Sequence, residues 1–164
     1  MAEQPRGEWR VRASAIVDVV SAMVLVAWVG GHAALGAFGA RIAFAELARP
    51  DAARTMTRVF HEFDRLILAG IFVLAACAVV GIWLRGATVI SQLRFGIELG
   101  LCALGLFEIF HVHALIEGMF AAGRTLEPAF QAVHRLSERC VHGEVLLVLG
   151  CFMTRAWPGN RASS

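Results

Sequence analysis

The stretch GLFEIFHVHALIEGMF (Gly105–Phe120) sets Glu108, His111, His113 and Glu117 into a run of Leu, Ile, Phe and Ala. Imidazole with carboxylate is the ligand chemistry of zinc, copper and iron. On a helix, Glu108 and His111 are three apart and share a face, and Glu138 and His142, four apart, share another. His113 falls on a different side, with Glu117 one turn later. His32 and Glu108 each lie ~19 residues from the start of their apolar segment, so at a rise of ~1.5 Å per residue they stand at one height. The candidate metal set is therefore His32, Glu108, His111 and His142. Two imidazoles from different helices are alternatively the axial ligands of a haem. A third possibility is that the histidines are hydrogen-bonded and bind nothing. An HxH pair on a helix does not converge on one ion, and the chain has no HExxH spacing.

Further ionisable residues lie in the apolar runs: Asp18, Arg94, Glu98 and Glu144. A charge in hydrocarbon costs several kcal/mol, so it faces inward and takes a partner. Asp18 and Arg94 are each ~5 residues into their segments and can pair. Arg94 and Glu98 are i,i+4 neighbours. These three read as a structural ion-pair network. Glu144 and Glu98 fall at comparable heights near mid-membrane. Two facing carboxylates raise one pKa, so a shared proton, and with it a relay step, is one reading. The other is a single protonated Glu bonded to a backbone carbonyl.

What positions these residues is a chain far more apolar than a soluble domain. Of its 164 residues 58% are hydrophobic and 17% charged, against about 45–50% and about 25% ordinarily; the mean hydropathy is +0.66. Four apolar segments stand out against the ~20 residues a spanning helix needs: Ala13–Phe44, Leu66–Leu84, Val89 to about Phe120, and Val141–Met153, the last extended back through FQAVHRLSERC. The expected fold is all-α: a four-span integral membrane helix bundle, up-down-up-down, over residues 13–154. A polar tail occupies 1–12 and another 155–164. The first and third helices exceed the bilayer and project on one side.

The short link RGAT (Arg85–Thr88) makes helices two and three a tight hairpin. In the longer link Glu46–Arg65, Pro50 marks a break and Asp51 can cap a short helix running into helix two. Gly96 and Gly100 form a GxxxG, and Gly36 and Ala40 are four apart. Such faces pack helices within the chain or join it to a second copy or a membrane partner. Trp9, Trp28, Trp83 and Trp157 include interface anchors. Cys77, Cys102, Cys140 and Cys151 form no CxxC and read as small buried hydrophobes. The first apolar segment is too long for a cleaved signal and is expected to stay in the membrane. The net charge of +2 and the lack of a basic run exclude nucleic acid. Arginines at the helix ends are nearly balanced. The terminal face holds Arg6, Arg10, Arg12, Arg85, Arg155 and Arg161 with few acids, which favours cytoplasmic termini.

Longer stretches carry a family likeness. VAWVGGHAALGAFGARIAFAELARPDAARTMTRVFHEFDRLILAG (Val26–Gly70) resembles the first half of the transmembrane protein 205-like family, also catalogued as a bacterial domain of unknown function. The shared features are a Gly-Gly pair, a link with Pro or Arg, and a Phe-rich F..FDRL. HRLSERCVHGEVLLVLG (His134–Gly150) resembles its approach to helix four, although Cys140, Val141 and His142 stand where the family commonly has Asn. The resemblance implies a four-helix protein of a bacterial inner membrane without an established activity. The first helix is locally similar to copper-resistance D-type membrane proteins. No Ser–His–Asp group, P-loop or dinucleotide fingerprint is present, so no enzyme is expected. The leading expectation is a membrane protein handling a metal ion or small solute in a His/Glu-lined pocket. The alternatives are a haem-binding electron-transfer subunit and a ligand-free structural or assembly subunit.

Overall fold

The computed structural model describes residues 5–156, with side chains from Glu8 onward. Among these residues the fold is all helical. Helix α1 begins as Pro5–Ala33, passes through a π-helical stretch Ala34–Gly39 and finishes as Ala40–Glu46. Helix α2 is Arg49–Arg85. Helix α3 runs Val89–Phe107, turns π-helical over Glu108–His113 and ends as Ala114–Ala121. Helix α4 is Pro128–Ala156.

Helices α1, α2 and α3 are long and apolar enough to cross a membrane, with rods of 39, 37 and 33 residues. At ~1.5 Å per residue all three exceed a ~30 Å hydrocarbon core. Helix α4 has the length, but His134, Arg135, Glu138, Arg139, His142 and Glu144 make its first half polar.

Each helix turns one narrow stripe inward. In α1 it is Ser21, Leu25 and Trp28; in α4 it is Cys140, Glu144, Val148 and Cys151. The apolar core joins Leu25, Trp28, Ile67, Ile71, Leu74, Leu101, Cys102, Val148 and Cys151. The outer surface is apolar as well: Phe72 is 75% exposed, Leu146 68% and Met153 71%. The buried set meanwhile includes Asp64, Arg94, Glu98, Glu108 and Glu144. Greasy outside and charged inside is the reverse of a water-soluble domain, and an exposed apolar surface of this kind marks contact with lipid.

A polar clamp ties the helices together near the start of α1. Arg94 reaches Asp18 at 2.6 Å and Glu98 at 3.1 Å. Two arginines that sequence reasoning left out join it. Arg85 bonds Asp18 at 3.0 Å and Ser14 at 2.7 Å. Arg155 bonds Glu98 at 3.1 Å and Ser21 at 2.7 Å. All four helices contribute, and the first turns of α1 thereby lie against the ends of α2 and α4.

Several expectations are corrected. Residues 5–12, expected as a polar tail, are helical and continuous with α1. Helix α2 starts at Arg49 with Pro50 in its first turn, where the missing N–H is harmless; Asp51 is not its cap but pairs with Arg54 at 2.9 Å. No separate short helix precedes it. In the hairpin, Gly86 takes φ +79 and Thr88 caps α3 by accepting from the Ser91 amide at 3.2 Å. The last link closes on a two-pronged Arg124–Glu127 pair at 2.8 and 2.7 Å, which holds the Glu127 carboxyl below its usual range. Gly96 meets open space, and Gly100 only the tip of Leu147 at 4.0 Å, so the GxxxG is not a close intrachain contact. Trp28 is not an interface anchor but fully buried. Trp9 and Trp83 do stand outside as a pair, with ring centroids 6.0 Å apart. The side chain of Arg6, Trp157, Arg161 and the tail from residue 157 lie outside the described residues.

Removing one partner of a buried ion pair strands the other. Arg94→Ala is expected to cost about 3–5 kcal/mol, read as a lower unfolding midpoint in detergent, whereas Arg54→Ala at the exposed Asp51 pair changes it by under about 1 kcal/mol.

Candidate metal centre

A second buried polar cluster lies on the opposite side of the apolar core from the clamp, and again every helix contributes. Helix α1 supplies Trp28 and His32, one turn apart. Helix α2 supplies Asp64, on the stripe Asp64, Ile67, Ile71, Leu74. Helix α3 supplies Glu108 and His113 from its π-helical stretch, and α4 supplies Ser137 and Glu144.

Ligand atoms of His32, Glu108 and Glu144 all lie within 4.8 Å of one another. His32 Nδ1 is 3.4 Å from Glu144 Oε2, and the Trp28 indole N–H donates to that same oxygen at 2.9 Å. The Ser137 hydroxyl donates to Glu108 Oε1 at 2.6 Å. His113 bridges two acids, with Nδ1 2.9 Å from Asp64 Oδ2 and Nε2 3.5 Å from Glu108 Oε1. Three carboxylates thus face two imidazoles. The remaining oxygen of Glu144, Oε1, is buried and has no hydrogen-bond partner. An ionised carboxylate at 1% exposure with a free oxygen is costly, and the cost is relieved by a proton or by a cation that meets it.

Close helix approach makes the arrangement possible. At Gly105 a Cβ would come within 2.5 Å of the Trp28 ring and 3.5 Å of Glu144 Oε1. Glycine therefore lets the indole lie close against α3 and reach across to α4.

Of the four residues expected to bind metal, His32 and Glu108 come together and His111 and His142 do not. His111 is exposed and stacked on Phe107, ring centroids 5.2 Å apart. The physical reason is the π-helical turn. Its i→i+5 bonding stacks residues five apart, so Glu108 aligns with His113 rather than His111. His142 is exposed because Glu144, two residues on, faces inward on the α4 stripe. Glu98 and Glu144 do not share a proton either: Glu98 belongs to the arginine clamp and Glu144 to the His32 cluster. Asp18, Arg94 and Glu98 meet in the clamp.

Sequence reasoning missed Asp64, Trp28 and Ser137 as members and turned His113 the wrong way. Asp64 had a signal, since it continues the i+3/i+4 spacing of Ile67, Ile71 and Leu74. Trp28 had one too, seven residues after Ser21 and three after Leu25. The remaining histidines lie further out: His61 pairs with Glu117 at 2.7 Å and His134 with Glu138 at 3.8 Å.

One carboxylate-rich set of oxygen and nitrogen donors suits a divalent first-row ion. The two inward imidazoles are each held by carboxylates, His32 by Glu144 and His113 by Asp64 and Glu108.

A family model described as "Domain of unknown function (DUF4149)" matches residues 23–125, a span that holds every cluster member except Ser137 and Glu144. No curated protein and no solved structure matches the chain.

The glycine contact gives two substitutions of opposite sign. Gly105→Ala is expected to lose about 1–3 kcal/mol by overpacking and to displace Trp28, seen as a shift in indole fluorescence. Gly96→Ala, with open space around it, is neutral or stabilising by up to about 1 kcal/mol.

Proposed function

The chain belongs to the family of domains of unknown function DUF4149, and from that premise we propose that it is a multi-pass membrane protein that holds a divalent transition-metal ion between its helices. His32, Glu108 and Glu144 are the ligands, with Asp64 and His113 around them. The observation that carries this reading is the meeting of one imidazole and two carboxylates within 4.8 Å, together with the lack of a hydrogen-bond partner for one buried oxygen of Glu144.

In this reading all four helices cross, up-down-up-down. Three qualify by length and composition. Helix α4 accompanies them because the exposed residues of its second half include Leu146, Leu149 and Met153 while Glu144 is turned inward. Both termini face the cytoplasm of a bacterial inner membrane. The link-side arginines Arg54, Arg65 and Arg124 are each paired with an acid within their own link at 2.7–2.9 Å, whereas at the terminal end Arg10 lies over the Trp9 and Trp83 rings and Arg12 meets Glu8 only at 3.7 Å.

The chain's own groups prepare the site. The Trp28 N–H fixes Glu144 Oε2, the oxygen beside His32, while Oε1 lies buried toward Gly105 without a partner. The Ser137 hydroxyl orients Glu108 in the same way. Outer partners of this kind set ligand direction and basicity. A bound ion would supply the positive charge that the three carboxylates lack. The role proposed is binding and transfer of the ion rather than catalysis.

Elemental analysis of protein purified from its own host, followed by Mn(II), Zn(II) and Co(II) titration after chelation, tests the reading. One ion per chain is expected, with affinity falling as pH is lowered because protons compete for the ligands. Glu144→Gln is expected to weaken binding at least ~100-fold, and Trp28→Phe by roughly 10–100-fold as an outer-layer change. His111→Ala and His142→Ala leave it within about twofold. A protein that takes up none of the three ions, or loses them only when His111 is changed, overturns the assignment.

A further inference from the structure

The histidines and acids outside the core cluster are gathered on one side of it, and a cleft connects them to it. The cleft, of ≈ 120 Å³, opens between α2, α3 and α4. Its walls include Thr57 and Ile116, its mouth Glu117 and His134, and its floor His113 and Ser137. Both floor residues touch Glu108, Ser137 at 2.6 Å and His113 at 3.5 Å. The cleft floor is thus in direct contact with a ligand of the core site.

The mouth has donors of the same kind as the core. Glu117 is held by His61 at 2.7 Å, with side-chain exposures of 37% and 52%, and His134 sits beside Glu138 at 56% and 59%. Imidazole and carboxylate at the rim, imidazole and hydroxyl at the floor, and imidazole and carboxylates beyond it form a graded series of ligands. The surrounding surface is polar, with Arg58, Glu62 and Arg65 exposed on α2 and Arg124 on the last link, so the mouth lies at the water-facing end of the bundle away from the termini. Two further cavities offer no such series of ligands. The ≈ 270 Å³ hollow beside Trp28 and Phe63 is lined by apolar side chains, and the ≈ 20 Å³ space beside Arg85 and Arg94 belongs to the clamp, where guanidinium groups repel a cation.

We propose that this cleft is the route by which a divalent transition-metal ion enters and leaves the core site, with Glu117 and His134 as capture residues and His113 with Ser137 as the inner gate. The proposal rests on the metal-binding reading above. It requires that His113 and Ser137 release Glu108 as the ion arrives, since both occupy its carboxylate.

Loading kinetics separate the route from the site. Purified full-length protein in detergent is mixed with Co(II), and its visible absorption is followed during uptake and during release to a chelator. Ile116→Trp fills the cleft without touching a ligand. It is expected to slow uptake and release together by at least tenfold while the dissociation constant stays within about twofold, because a blocked path retards both directions equally. Val73→Trp, beside the apolar hollow, leaves both rates unchanged. Should Ile116→Trp not fold, the double change Glu117→Gln with His134→Ala at the exposed rim is expected to slow uptake at least threefold. Wild-type uptake and release rates in the cleft-filled protein, or in the rim double variant where that one is used, overturn the route and leave the core site standing. No Co(II) uptake by the unaltered protein overturns the site, and the route with it.

Discussion

The hydrogen bond from the Trp28 indole to Glu144 spans the first and last helices in the middle of the bundle, and much else is arranged around it. An indole N–H buried without an acceptor, or a carboxylate buried without a donor, would each cost several kcal/mol in so dry an interior. Joined, they satisfy each other and fix the separation of two helices that are 116 residues apart in the chain. Gly105 is the complementary constraint, because only a residue without a side chain lets the indole pass. Leu25, Leu101 and Val148 then close around the pair.

Two polar layers result, and they differ in sign. The clamp sets Arg85, Arg94 and Arg155 against Asp18 and Glu98, so guanidinium groups outnumber carboxylates. The other layer sets Asp64, Glu108 and Glu144 against His32 and His113. Fixed arginines remain charged at any ordinary pH and suit a permanent structural tie. Imidazoles and carboxylates are also metal ligands and suit a site whose occupancy changes. The interior is therefore polarised along the bundle, positive toward the termini and negative toward the links, which fits the cation site proposed in the second layer.

The architecture was largely legible in the residues. Apolar runs separated by charged links announce long helices, and Asp18, Arg94 and Glu98 found each other because height and i,i+4 spacing are simple functions of residue number. The clamp's other two arginines escaped because they sit at helix ends, where a charge is ordinarily solvated. The candidate site was half legible. Matching heights brought His32 to Glu108. The error came from applying an α-helical period to EIFHVH, where the backbone is wound more loosely and a one-residue change of register exchanges His113 for His111. Nothing in those six residues announces the π turn. Asp64 and the outward direction of His142 were within reach, since each follows from the buried stripe of its own helix.

Between the two polar layers lies a septum of Leu25, Leu74, Leu101, Val148 and Cys151, closed on all sides and free of ionisable side chains apart from the thiol. An ion held as proposed by His32, Glu108 and Glu144 would have to shed every ligand to cross it. In the metal-binding reading proposed above, the bundle in this conformation is a blind-ended receptacle rather than a conduit: an ion taken in from the link side returns to that side, unless the helices part.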